Sequence, residues 1–102
     1  MLAQPARAPD IIVSVAEGTV EIKNKLGLHL RAATLLVKTA GKFSSTITIT
    51  RGKDRASARS VIALMTLGAG LGSKLTVKAE GADADEALKA VEVLFNDKFG
   101  EE

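Results

Sequence analysis

Thr19-Val20-Glu21-Ile22-Lys23-Asn24-Lys25-Leu26-Gly27-Leu28-His29-Leu30-Arg31-Ala32-Ala33 is the stretch where one periodicity gives way to another. From Thr19 to Asn24 apolar and polar residues alternate, the period of a half-buried strand. Past the turn, Ala33, Leu36, Val37 and Ala40 recur at i, i+3, i+4 and i+7, one stripe of an amphipathic helix. Gly27 supplies permissive backbone between the two. The single histidine, His29, therefore lands at a helix entry, beside N–H groups that have no partner within the helix and that attract anions together with the helix dipole. A neutral imidazole there can take a phosphoryl group, and Arg31 alongside can hold its oxygens through a forked guanidinium. A histidine before a helix also serves as a plain cap or surface residue, and position alone does not choose between these roles.

Working outward, the flanks read as further elements. The opening run to Pro9 is rich in Ala and Pro and reads as disordered. Asp10-Ile11-Ile12-Val13-Ser14-Val15-Ala16 is β-prone, with Glu17-Gly18 as its break. It is an extra edge strand, a lengthened first strand or a sticky tail. Thr46-Ile47-Thr48-Ile49-Thr50 alternates strictly, with Ile47 and Ile49 on one face. Arg51-Gly52-Lys53-Asp54 is a hairpin turn, and Arg55-Ala56-Ser57-Ala58 returns as a weaker strand. Ser60 to Leu67 reads as a short helix with Ser60 as N-cap. The Gly68-Ala69-Gly70-Leu71-Gly72 loop lacks the lysine and serine of a nucleotide loop and is rejected as one. Leu75, Val77 and Ala79 alternate with polar residues in a fourth strand. Asp83 and Glu86 suggest a capping box for a last helix with Ala87, Leu88, Val91, Leu94 and Phe95 as its stripe and Gly100 as its end.

The resulting order, βαββαβα, fits an α+β domain: a four-stranded antiparallel sheet with three helices packed on one face. Residues 1–17 form a partly disordered extension and residues 18–100 the domain. The same order suits a ferredoxin-like RNA-binding module, but such a module needs aromatics on its sheet. The three aromatics, Phe43, Phe95 and Phe99, all fall outside the expected strands.

Composition narrows the function classes. A chain of 102 residues, 46% hydrophobic, supports one compact domain. A net charge of +2, dispersed along the chain, argues against nucleic acid. No apolar run approaches the ~20 residues of a membrane span, and no apolar export segment follows a basic start. Without cysteine there is no thiol chemistry or Cys-ligated metal, and with one histidine no histidine-rich metal site. The expectation is a cytoplasmic monomer with no metal, organic cofactor or membrane insertion.

A second informative segment is Ser60-Val61-Ile62-Ala63-Leu64-Met65-Thr66-Leu67-Gly68. At about 100° per residue, Leu64 and Leu67 share a face that can bury on the sheet, while Val61, Ile62 and Met65 gather on another. A short helix that is apolar nearly all round needs cover on two sides. The second side is either a docking patch for another protein or packed under the Gly-rich loop or the N-terminal tail.

Gly27-Leu28-His29-x-Arg31-x-Ala33, a helix closing on Ala40-Gly41-Lys42-Phe43, and the segment from Ser60 together resemble HPr, the histidine phosphocarrier family of the sugar phosphotransferase system. The resemblance covers about Thr19 to Phe99. It implies phosphoryl transfer from enzyme I, charged by phosphoenolpyruvate, to Nδ1 of His29 and onward to an enzyme IIA-type acceptor. It implies that Arg31 and the backbone at Leu30 and Arg31 hold the phosphate, and that Val61, Ile62 and Met65 dock both partners. Ser60 matches the serine that a dedicated kinase phosphorylates in many members, although capping alone explains a serine there. Ala32 stands where the family has proline, which pre-sets the first helical turn. That departure keeps a rival open: an HPr-like regulatory binding module, switched at Ser60, with His29 idle.

Overall fold

The computed structural model describes residues 14–101, so the expectations for residues 1–13 lie outside the described residues. Four strands, β1 (Ser14–Glu21), β2 (Thr46–Arg51), β3 (Asp54–Ser57) and β4 (Lys74–Gly81), form one antiparallel sheet in the order β1-β4-β2-β3. Three helices, α1 (Leu30–Ala40), α2 (Val61–Thr66) and α3 (Ala84–Asn96), complete the βαββαβα chain order. The period-two pattern sets the register. Val20 lies opposite Leu75, Ile49 opposite Val77 and Ala56, and Ile47 opposite Ala79, all on the buried face. Thr48, Thr50, Thr76 and Lys78 take the other face, which is partly exposed. The helices close the apolar side, with α3 lying on β1 and β4 and α1 packing beside both α2 and α3. The core between the layers is built from Leu36, Ile47, Ile49, Leu64, Leu75, Val77, Val91 and Phe95, all nearly or fully buried.

Three local expectations are corrected. Glu17-Gly18 does not break the first strand: β1 runs through both residues from Ser14, so of the three readings of this segment the lengthened first strand is the one seen among the described residues. The reason is packing. A Cβ on Gly18 would meet the Leu88 methyls at 3.5 and 3.6 Å and the Glu92 carboxylate at 3.0 Å, so the bare backbone lets α3 settle closely on the strand. Asp83 occupies the N-cap position of α3 but makes no side-chain cap. Its carboxylate instead accepts from the backbone N–H groups of Ser44 and Ser45 at 2.8 and 2.9 Å and from the Ser45 hydroxyl, tying the lead into β2 to the start of α3. These bonds hold the Asp83 carboxyl below the ordinary aspartate range, the Ser45 side chain contributing most.

Finally, α3 ends at Asn96 rather than running to Gly100. Lys98 and Phe99 both take φ of +55°, an uncommon setting for residues with a side chain. The turn is held by Phe99, which is buried with its ring edge-on to Phe95 at 4.8 Å. It aims the chain's end back across the molecule.

Candidate functional site

The site is assembled from the turn between β1 and α1, the glycine-rich loop before β4, and the end of the chain. After β1 the backbone stays attached to the glycine-rich loop: Ile22 N–H donates to Ser73 O and Gly72 N–H to Ile22 O. Gly27 then adopts φ of +70°, and Leu28 N–H donates to Ala69 O at 2.9 Å. The two loops touch so closely that a Cβ on Gly27 would lie 2.5 Å from that same Ala69 oxygen. The glycine-rich loop, rejected as a nucleotide loop, thus has a structural role, as a wall against which the turn is pressed.

His29 follows as the N-cap of α1, with an extended backbone at φ −83° and ψ −177°. Its Nδ1 accepts from the backbone N–H of Arg31 at 3.2 Å. A backbone N–H can only donate, so Nδ1 is unprotonated and keeps its lone pair at the helix's amino end. The ring proton is then on Nε2, which donates to Oε2 of Glu101 at 2.6 Å. His29 is 27% exposed and Glu101 14%, while Leu30 and Arg31 are open to solvent. Ala32 is fully buried against the core in the first turn.

Two residues of the candidate site escaped the sequence reading. Asn24 reads as a polar position at the tail of an alternating strand, yet it is fully buried. Its Nδ2 donates both to Gly27 O at 2.7 Å, closing the turn, and to Oε1 of Glu101 at 3.1 Å. Rotating the amide would face its oxygen to two acceptors, so this orientation wins although Oδ1 has no partner among the described residues. Glu101 itself sits in a polar tail whose sequence carries no periodic signal. Hydrogen bonds from His29 first and Asn24 second hold its carboxyl below the usual glutamate range, against an opposing contribution from burial.

The segment from Ser60 is arranged largely as expected. The Ser60 hydroxyl accepts from Ala63 N–H at 3.1 Å and caps α2. Leu64 and Leu67 are buried, whereas Ile62 is 79% and Met65 41% exposed. Val61 departs from the expected patch: it is half-buried and packs against the core. It sits only about 60° around the helix from Leu64, against about 160° for Ile62, and so leans toward the sheet. The Arg51 guanidinium donates to the carbonyls of Leu67 and Gly68 and closes the carboxyl end of the helix.

This geometry coincides with an extensive family match. The family described as "PTS HPr component phosphorylation site" matches residues 16–97. The chain belongs to the HPr family. Among curated relatives, the phosphocarrier protein NPr of Shewanella violacea is 48% identical over 85 residues, covering 83% of this chain and 93% of that protein. The phosphocarrier protein HPr of Treponema pallidum is 43% identical, covering 82% and 96%. Of solved structures, an HPr from Thermoanaerobacter tengcongensis superposes with a TM-score of 0.82 at 47% identity, covering 85% of this chain and 98% of its own. Membership in the HPr family gives the chain the role of a phosphocarrier of the phosphotransferase system, acting with other proteins of that system. Among the described residues no helix is long and apolar enough to cross a membrane, and no group of three or more His, Cys, Asp or Glu is placed to hold a metal ion.

Proposed function

We propose that His29 is the phosphoryl acceptor, taking the group on Nδ1 from phosphorylated enzyme I and passing it to an enzyme IIA-type protein in the cytoplasm. The observation that carries this reading is the bond from Arg31 N–H to Nδ1, which leaves a lone pair at the amino end of α1 on a partly exposed ring. In the forward step that lone pair forms the N–P bond while the donor's bond to phosphorus breaks, its electron pair staying with the donor. The onward step reverses this, and the pair returns to Nδ1. The Arg31 N–H must leave Nδ1 as the N–P bond forms, and is then placed, with that of Leu30, to bind a phosphate oxygen. The exposed Arg31 guanidinium adds a forked donor for the same oxygens.

Ile62 and Met65, with Val61 at their margin, form the docking patch for donor and acceptor. A phosphate placed on Ser60 by a serine kinase would replace a neutral cap with charge beside that patch and change docking without unfolding the helix. The chain acts stoichiometrically, as a carrier rather than a catalyst.

Incubation with phosphoenolpyruvate and enzyme I, followed by intact mass, tests the proposal. The parent gains one acid-labile phosphoryl group, and His29→Ala gains none while staying folded. Undiminished acid-labile phosphate on His29→Ala removes His29 as the acceptor. A parent that takes no phosphate from enzyme I but takes an acid-stable one from ATP and a serine kinase, lost in Ser60→Ala, favours the regulatory module instead.

A further inference from the structure

We infer that Glu101 is a positioning residue for the reacting ring: its carboxylate keeps the proton on Nε2 and balances the charge the ring gains when Nδ1 takes a phosphoryl group. The inference rests on His29 being the acceptor and adds how the ring is prepared for that task. The contact is built, not incidental. Glu101 lies 72 residues from His29 in sequence, and its two oxygens are divided between Nε2 of His29 and Nδ2 of the fully buried Asn24. The tail reaches that place only because Lys98 and Phe99 turn through positive φ, a conformation retained when surrounding contacts over-determine it. Burial of Phe99 against Phe95 supplies those contacts.

The chemistry follows from which nitrogen is engaged. Glu101 occupies Nε2 and leaves Nδ1, the proposed reacting atom, to the Arg31 N–H, which the incoming phosphoryl group displaces. A ring that attacks through Nδ1 while keeping its Nε2 proton becomes a phosphoimidazolium, gaining one positive charge. A carboxylate at 2.6 Å from Nε2 meets that charge as it forms. When the N–P bond breaks, the electron pair returns to Nδ1 and the ring is neutral again, with its proton still on Nε2. No proton has to be delivered or removed in either direction. The same carboxylate therefore favours the loaded ring: it lowers the barrier to loading and raises the barrier to unloading, which protects the phosphohistidine from loss to water.

The test uses the full chain, with phosphoramidate as a small phosphoryl donor that needs no partner protein, and compares Glu101→Ala with Glu101→Gln. The first readout is the Nε2 proton of His29 by ¹⁵N-edited NMR, measured without any donor. It is protected from solvent exchange in the parent, lost to fast exchange in Glu101→Ala, and recovered in Glu101→Gln, which still offers an acceptor oxygen. The second readout is the rate of phosphoryl uptake and of phosphohistidine hydrolysis. In Glu101→Ala uptake slows and hydrolysis quickens, together shifting the loading balance about tenfold, the loss expected for one charge-assisted hydrogen bond, and both changes persist in Glu101→Gln, which lacks the charge. Far-UV circular dichroism matching that of the parent separates these effects from loss of fold. Parent-like ring-proton exchange in Glu101→Ala, or parent-like rates in Glu101→Gln, overturns the inference. If the parent takes no phosphate on His29 from either phosphoramidate or enzyme I, the acceptor reading has failed and the role given to Glu101 falls with it. The donor-free NMR readout shows separately whether the contact exists.

Discussion

At position 27 two constraints coincide: a φ of +70° and a neighbouring loop so close that a Cβ would sit 2.5 Å from a carbonyl oxygen. Either alone would favour glycine, and together they admit nothing else without moving the backbone. Since Leu28 is bonded to that same oxygen, the strain of any side chain at 27 passes directly to His29 one residue on. Gly27→Ala is therefore expected to destabilise the domain by about 2 kcal/mol or more and to slow phosphoryl uptake beyond what the lost stability explains. Urea unfolding and uptake kinetics on one preparation check both. A variant with parent stability would mean that the two loops separate readily. Gly27 and His29 were both legible as a turn and a helix entry, because the signals for each lie within a few residues. The obstacle at Ala69 was not, because nothing near Gly27 in sequence announces which distant loop will press on it.

At the scale of an element, α2 shows how six residues can serve two surfaces. Leu64 is fully buried, Ile62 almost fully exposed, and the helix is capped at one end by the Ser60 hydroxyl and at the other by Arg51. Ile62→Glu should change stability by no more than about 0.5 kcal/mol yet weaken docking to enzyme I, since a carboxylate enters an apolar contact without a partner. Leu64→Glu should unfold the domain, because an unpaired buried carboxylate costs several kcal/mol against a small total. Thermal melts with phosphotransfer assays on both variants distinguish the faces. Collapse of the Ile62 variant beside a folded Leu64 variant would invert the assignment. The angular pattern placed four of the five apolar positions correctly. Val61 was misjudged because a flanking position is buried or open according to how far the sheet extends beneath it, which the helix's own sequence does not encode.

Across the whole molecule, the layers are tied at their margins by polar contacts between residues remote in sequence. The Asp83 carboxylate joins the entry of β2 to the entry of α3, with three donors converging on it. Its carboxyl lies below the ordinary value in the folded state, so the unfolded chain binds the proton at higher pH than the folded one. The stabilisation is fully present above the unfolded aspartate pKa of about 3.9 and is lost as pH falls through the lower folded value. Replacing Asp83 by Asn removes that titration. The difference in melting temperature between parent and Asp83→Asn should hold steady from neutral pH to about 5 and shrink as acid is added below about 4. A difference that stays constant down to pH 2 would show that the carboxylate's charge contributes nothing. Glu101 titrates in the same direction at the other end of the fold, so the measurement is best repeated in the Glu101→Gln background.

The sequence by itself determined what depends on neighbours a few residues apart. The alternation of Ile47 with Ile49 and of Leu75, Val77 and Ala79, the helical stripes, the Ser60 cap and the placing of His29 beside Arg31 all follow from local periods and local hydrogen bonds. Only the tertiary structure decided that Gly18 would lie within β1 under α3, that Asp83 would leave its helix cap for Ser44 and Ser45, and that Asn24 and Glu101 would complete the site around His29. Each of those outcomes is a competition between a local partner and a distant one. The winner depends on which groups the packed layers bring within about 3 Å of each other. A period of two or 3.6 residues carries no record of that distance.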